Sequence, residues 1–428
     1  MTTLLRYLRA APALFFLMLG PSACAAYSVL THEAIVDSTW DSAIKPLLLK
    51  RFPLATADDL VEAHAYAYGG CIIQDLGYYP FGSKFYSDLT HYVRSGDFIV
   101  NLLRESQDLD EYAFALGALS HYAADNNGHR MATNVSVPLL YPKLAARFGR
   151  SVSYGDDPFS HSKTEFGFDV FQASKSRYAS EAYKAFIGFQ VSKPVLTRAF
   201  EDTYGIPIGQ VFFNLDLAVG SYRRAVGTIL PALTKVAWQI KAQEIRKDAP
   251  GITRKKFLYN LSRSSYEKNW GSTYQKPGIG SRILATLFHI VPRAGPLKAL
   301  SFKKLTPETE RLYMVGFNAS IDRFRELLAG VGKGDLVLPN DNFDLGEVTK
   351  AGRYKLTDAA YAKLLHKLHG HYAGIPPQLR QDILNFYGDL SLPISTKTDV
   401  SGWATLQDEL SLLQAIDRDT VTGTAVVR

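Results

Sequence analysis

The sequence predicts an all-α protein, a multi-helix bundle with a further, mainly helical C-terminal region. Three observations carry that expectation. His121 and Asp125 stand four residues apart, and so do His161 and Glu165; side chains at that spacing meet on one face of a helix. The stretch Glu111–Asp125 (EYAFALGALSHYAAD) is strongly apolar, with its histidine and aspartate on one side. That pattern suits a helix buried in a bundle, its polar stripe facing an internal cavity. The tail also lacks the regular strand spacing of roughly 8–12 residues that a β-sandwich would show.

At 428 residues the chain exceeds one simple core, and two domains are the default. Its composition is globular, 46% hydrophobic and 21% charged, with no low-complexity tract and no internal repeat. A net charge of +7 and a pI near 9.1 imply attraction to anionic surfaces or substrates. Charge alone does not distinguish phospholipid from nucleic acid.

Taken in order, residues 1–25 read as an export signal. Arg6 and Arg9 form a basic start, Ala11–Leu19 a short apolar run, and Ala23-Cys24-Ala25 an A-x-A cleavage site. The run is too short for a transmembrane helix. The expected location is periplasmic or secreted, with Cys24 as an alternative lipid anchor to the outer membrane, although Pro21-Ser22-Ala23 makes a poor lipobox. If Cys24 leaves with the signal, Cys71 stands alone and no intramolecular disulfide is expected. The apolar setting of Cys71 suits a small buried residue.

Residues 26–235 form the first expected domain, mainly helical. Ser28–Val36 opens a helix with Thr31 as its cap. Leu76–Ser87 (LGYYPFGSKFYS) has the Gly, Pro and aromatic content of a loop. Tyr183–Phe200 and Val211–Trp238 read as long helices. Residues 236–306 form a basic amphipathic segment: between Lys235 and Lys304 there are fifteen Lys or Arg against three acids, with Tyr259, Tyr266, Trp270 and Tyr274 interspersed. Such a segment suits a membrane surface, or simply a solvated basic face. Residues 307–428 carry helices such as Ala359–His369 and Gln378–Tyr387, with no readable role. His366, His369 and His371 read as surface residues, and His64 as structural or as a support behind the metal ligands.

The chemistry concentrates early. His32, Asp75, His91, His121, Asp125, His129, His161 and Glu165 all lie in the first 165 residues. Imidazole and carboxylate donors converging in one place suit zinc, which takes both at about 2.0–2.2 Å. Taken singly, each is equally a hydrogen-bonded core histidine or a helix-surface acid. The ordered set, and the two i, i+4 pairs in it, favour metal ligation.

In its order and context the set resembles the zinc-dependent phospholipase C family, helical trinuclear-zinc proteins related in fold to S1/P1 nucleases. The contexts Asp75-Leu-Gly-Tyr-Tyr-Pro-Phe-Gly82 and Ala115-Leu-Gly-Ala-Leu-Ser-His121-Tyr-Ala-Ala-Asp125 carry the likeness, which covers about residues 27–200. The resemblance implies a catalytic domain over 26–235 binding two to three Zn2+ ions. One zinc would take Asp75, His91, His121 and Asp125; a second His129, His161 and Glu165; a third His32, with Asp125 bridging. In the family the third zinc is also held by the amino terminus, and here His32 falls closer to the expected terminus than usual. The His121-x3-Asp125-x3-His129 spacing is tighter than in the secreted toxins. The longer stretch from His129 to His161 is expected to form a loop at the cleft.

The expected function is an exported zinc phosphodiesterase. It is read as a phospholipase C that hydrolyses glycerophospholipids by zinc-activated hydroxide. By the same resemblance Asp75 is the catalytic candidate, orienting or deprotonating the water. Tyr78, Tyr79 and Phe81 either line the cleft or pack as a loop core. The expected partner is a phospholipid or membrane surface, with no protein partner. The alternatives are an S1/P1-like nuclease, for which interleaved basic and aromatic residues would serve nucleic acid, and a non-catalytic metal-stabilised surface protein. The nuclease branch usually starts with a Trp and carries disulfides, and neither is expected here.

Overall fold

The computed structural model describes residues 29–174, 189–226 and 302–425. The expected export signal with Cys24, and nearly all of the basic segment, lie outside these residues. Among the described residues the architecture is α-helical, with one two-stranded antiparallel ribbon. No described helix is long and apolar enough to cross a membrane.

The chain opens with α1 (Val29–Thr39), a π turn (Trp40–Ile44) and α2 (Lys45–Arg51). Thr31 lies inside α1 rather than capping it. The leading N–H groups of Leu30 and Thr31 are satisfied instead by the carboxylate of Asp169, at 2.9 and 3.2 Å. A cap 138 residues away along the chain leaves no local signal. α3 (Ala57–Gly70) starts with a capping box between Thr56 and Asp59. The expected loop at Leu76–Ser87 is only partly a loop: Ile73–Tyr78 is a 3-10 turn carrying Asp75, and α4 (Lys84–Tyr92) begins straight after Ser83. α5 (Ser95–Glu105) follows.

The central element is α6 (Leu109–Gly128). Asp108 accepts the N–H of Glu111 at 2.8 Å, and Asp110 and Glu111 place negative charge on the first turn. α6 is buried nearly all round, so its Ala and Gly residues set how closely its neighbours approach. At Gly117 a side chain would run into the backbone carbonyl of Ala67 on α3. A π turn (His129–Thr133), α7 (Asn134–Leu140) and α8 (Pro142–Phe148) come next. The stretch between His129 and His161 is therefore mostly helical, not the expected loop; only about residues 149–157 are irregular.

α9 (Pro158–Ser174) carries His161 and Glu165. α10 (Lys193–Tyr204) begins ten residues later than the expected helix start at Tyr183, and residues 175–188 lie outside the described set. α11 (Leu215–Arg224) starts at an Asn214 cap rather than at Val211.

The tail joins the same core. α12 (Pro307–Lys333) opens on a Thr306–Thr309 capping box with Pro307 at its first turn, and lies along α6 and the π turn after it. β1 (Asp341–Asn342) and β2 (Glu347–Val348) form a tight ribbon, with β1 against α4 and α5. α13 (Lys355–Lys367), α14 (Pro377–Phe386) and α15 (Val400–Ala425) complete the described chain. One apolar cluster runs from Ile35 and Phe114 through Phe324 and Phe343 to Leu413.

Candidate metal centre

All eight residues singled out in the sequence come together where α1, the Asp75 turn, α4, α6 and α9 converge, and all eight are buried. Asp125 is the hub. Its Oδ1 faces His32 Nε2 at 3.5 Å, while its Oδ2 faces His121 Nε2 at 3.1 Å, His91 Nε2 at 3.6 Å and His129 Nε2 at 3.9 Å. His91 Nε2 also meets Asp75 Oδ1 at 3.2 Å. Beyond them, Glu165 Oε1 lies 2.9 Å from His161 Nδ1 and 3.5 Å from His129 Nε2. Donors bound tetrahedrally at about 2.0–2.1 Å sit roughly 3.3 Å apart, and these separations scatter around that value.

The local sequence explains the convergence. His121, Asp125 and His129 follow at i, i+4 and i+8 along α6 and into the π turn, so they share one helix face. His161 and Glu165 do the same on α9. The rings are aimed from behind. His91 Nδ1 donates to the Ser87 carbonyl at 2.8 Å, and His121 Nδ1 to the Cys71 carbonyl at 2.9 Å. A carbonyl only accepts, so in both rings Nδ1 is committed behind and Nε2 is the nitrogen left to face the cluster. Tyr78 stands against the His91 ring with centroids 6.1 Å apart, and against Tyr154 at 5.7 Å. Tyr79 packs on Tyr222, and Phe81 is exposed. Of the three aromatics, then, Tyr78 borders the site.

The donors fit a metal on the evidence of their own valences. Among the described residues both oxygens of Asp75, Asp125 and Glu165 make no hydrogen bond although they are buried, and neither does His161 Nδ1. Leaving several buried carboxylate oxygens unmatched is costly, and a divalent cation removes that cost. Three groups of donor atoms lie close enough to hold an ion: His32, His121 and Asp125; Asp75, His91 and His121; and His129, His161 and Asp344.

Asp344 is the one member not anticipated. It belongs to the ribbon in the tail, with Oδ1 3.4 Å from His129 Nδ1 and 3.6 Å from His161 Nε2. In sequence it appears as one acid in Asn340-Asp-Asn-Phe-Asp344, with no histidine beside it. Only its partners far earlier in the chain would have marked it. His64 proves structural: its Nε2 meets Asp37 at 2.9 Å and its ring stacks on Trp40. His366 pairs with Glu409 on the exterior, away from the centre.

The metal-free electrostatics set a pH dependence. Burial works against a charge on His91, but the Asp125 and Asp75 carboxylates outweigh it and push its pKa up to about 10. Burial pushes Glu165 well above the usual carboxylate range. At pH 7 His91 therefore holds a proton that a ligand must give up, so loading zinc into the apoprotein is expected to release protons. Proton competition then weakens loading as pH falls. Calorimetric zinc titrations in buffers of different ionisation enthalpy measure the release; none at pH 7 would contradict this account.

A family model for zinc dependent phospholipase C matches residues 31–214. No curated protein and no solved structure matches the chain.

Proposed function

We propose, from the match of residues 31–214 to the zinc-dependent phospholipase C family, a family of phosphoric diester hydrolases, that the chain is an exported phospholipase C acting on glycerophospholipids. The observation that carries the reading is the bridging posture of Asp125, whose two oxygens face different imidazoles. A carboxylate so placed joins neighbouring metal positions into the kind of multinuclear centre that suits phosphodiester hydrolysis.

In this reading Asp75, His91, His121 and Asp125 would hold one zinc, and His129, His161 and Glu165 a second. His32 with Asp125 offers a third position, giving two to three ions. When bound, zinc supplies a water ionised near neutral pH and neutralises charge developing on the phosphoryl oxygens. The protein's part is to hold these donors rigidly. His91 and His121 are locked by the carbonyls behind them, and the buried setting excludes bulk water. Asp75 Oδ2 is available to orient the attacking water or accept its proton. Tyr78, beside His91, forms one wall.

The phospholipid preference draws support from the family and from the basic, aromatic-bearing stretch Lys235–Lys304. The N-terminal pattern supports export. The test is turnover by the purified protein, with and without chelator, on phosphatidylcholine vesicles and on single-stranded DNA, alongside elemental analysis. Two to three zincs with chelator-sensitive lipid hydrolysis is the expected result. DNA cleavage alone would move the protein to the nuclease branch, and absence of stoichiometric metal would end the metalloenzyme reading.

A further inference from the structure

We propose that Asp344, from the C-terminal ribbon and outside the family-matched segment, is a positioning residue for the second metal site. Its carboxylate fixes which ring nitrogen of His129 presents its lone pair to the metal, while Asn134, held by the Asp344 backbone carbonyl, does the same for His161. The inference rests on the zinc reading above.

The argument is one of hydrogen-bond valence. Asp344 is buried, and its Oδ2 is anchored by the N–H of Tyr154 at 2.9 Å and by the hydroxyl of Tyr354. Its Oδ1 has no hydrogen bond among the described residues, and points between His129 Nδ1 and His161 Nε2. A carboxylate tied down by one oxygen, with the other aimed at two imidazoles, is shaped to accept from them.

Asn134 decides which side of His161 the metal takes. Its Nδ2 donates to the backbone carbonyl of Asp344 at 2.6 Å, which turns its Oδ1 toward His161 Nε2 at 2.8 Å. An amide oxygen only accepts. His161 Nε2 therefore carries the hydrogen, and Nδ1 offers its lone pair on the Glu165 side. The same logic applies to His129. Asp344 Oδ1 stands 3.4 Å from His129 Nδ1 and as a carboxylate oxygen accepts, so its approach favours the hydrogen on Nδ1 and leaves the Nε2 lone pair toward Glu165 and Asp125. His129, His161 and Asp344 could instead bind an ion directly through the outer nitrogens, but Asn134 already claims one of those nitrogens.

The ribbon is built to hold this carboxylate still. Asn342 Oδ1 accepts the N–H groups of Asp344 and Leu345, both at 3.0 Å, an Asx-type turn. The N–H of Phe343 donates to the His91 carbonyl at 3.1 Å, and the Phe343 ring lies against His91 and His121. The tail thus grips both metal positions.

The test uses the full-length protein, with Asp344→Asn as the variant. The control is Glu347→Gln, a half-exposed position on the same ribbon whose carboxylate pairs with Arg353 at the surface. The readouts are zinc affinity by competition with a chromogenic chelator, zinc stoichiometry at saturation, and the visible spectrum of the cobalt-substituted protein. Loss of an outer partner to a ligating histidine typically costs about 10–100-fold in metal affinity. Asp344→Asn should weaken one zinc by that factor, alter the cobalt spectrum and keep full stoichiometry at saturation. Glu347→Gln should match wild type. Unchanged affinity and spectrum would overturn the proposal. So would complete loss of one zinc at any concentration, because that would make Asp344 a ligand. If Asp344→Asn does not fold, Tyr354→Phe decides: a weaker shift of the same kind supports the proposal, and wild-type affinity overturns it. A wild-type protein without zinc would instead refute the underlying metal reading.

Discussion

Asp125→Ala is expected to abolish phosphodiesterase activity and to lower the zinc content by more than one site's share. The reason is its position: Oδ1 faces His32 while Oδ2 faces His91, His121 and His129. In the metal-free protein burial opposes its ionisation, yet the neighbouring His121 and His129 hold its carboxyl well below the usual range, so it is an anion before any metal arrives. Alanine removes the bridge and leaves several imidazoles around an uncompensated gap. A merely orienting partner costs about 10–100-fold, so losing the bridge should cost at least ~10²-fold in turnover. Metal analysis and the vesicle assay on the same preparation provide the check. A variant with full activity and full metal would refute the assignment of this cluster as the reaction centre.

The second large effect is expected far along the chain. Gly346 closes the β1–β2 ribbon with φ +63°, and a side chain there would meet the backbone carbonyl of Asn126 on α6. Valine is penalised twice. A β-branched residue resists the left-handed region, which costs on the order of 1–3 kcal/mol, and overpacking against rigid backbone adds another ~1–3 kcal/mol. Gly346→Val should therefore lower stability by about 3 kcal/mol or more, read as a shift in the denaturation midpoint. Because Asp344 sits two residues earlier, the variant that remains folded should also bind its second zinc more weakly. An unchanged midpoint would mean that the ribbon is not seated on α6 as described.

The two expectations differ in how far the sequence alone could reach. The convergence on Asp125 was legible because α6 encodes its own geometry: His121, Asp125 and His129 recur every four residues, and a helix turns such a recurrence into one face. The same holds for His161 and Glu165 on α9. Helix positions in the tail were also legible, since Lys355–Lys367 and Pro377–Phe386 nearly coincide with the expected Ala359–His369 and Gln378–Tyr387. The Asp169 cap on α1, the helical path from His129 to Phe148 and the seating of Gly346 on α6 were not legible. Each depends on a partner remote in sequence, or on which backbone groups remain unsatisfied once the helices pack.

What the sequence by itself determined is an all-α chain and a set of eight nitrogen and oxygen donors that the fold gathers in one buried place. Local periodicity and residue type are enough for that, because helical spacing is a property of the backbone. Only the tertiary structure decided that the tail packs against these donors. It set Asp344 behind His129 and His161, and used Asn134 to assign the nitrogen that carries the proton. Hydrogen-bond valence is settled by which groups are buried together, and a contact between residues 134 and 344 is made by packing rather than by any pattern along the chain.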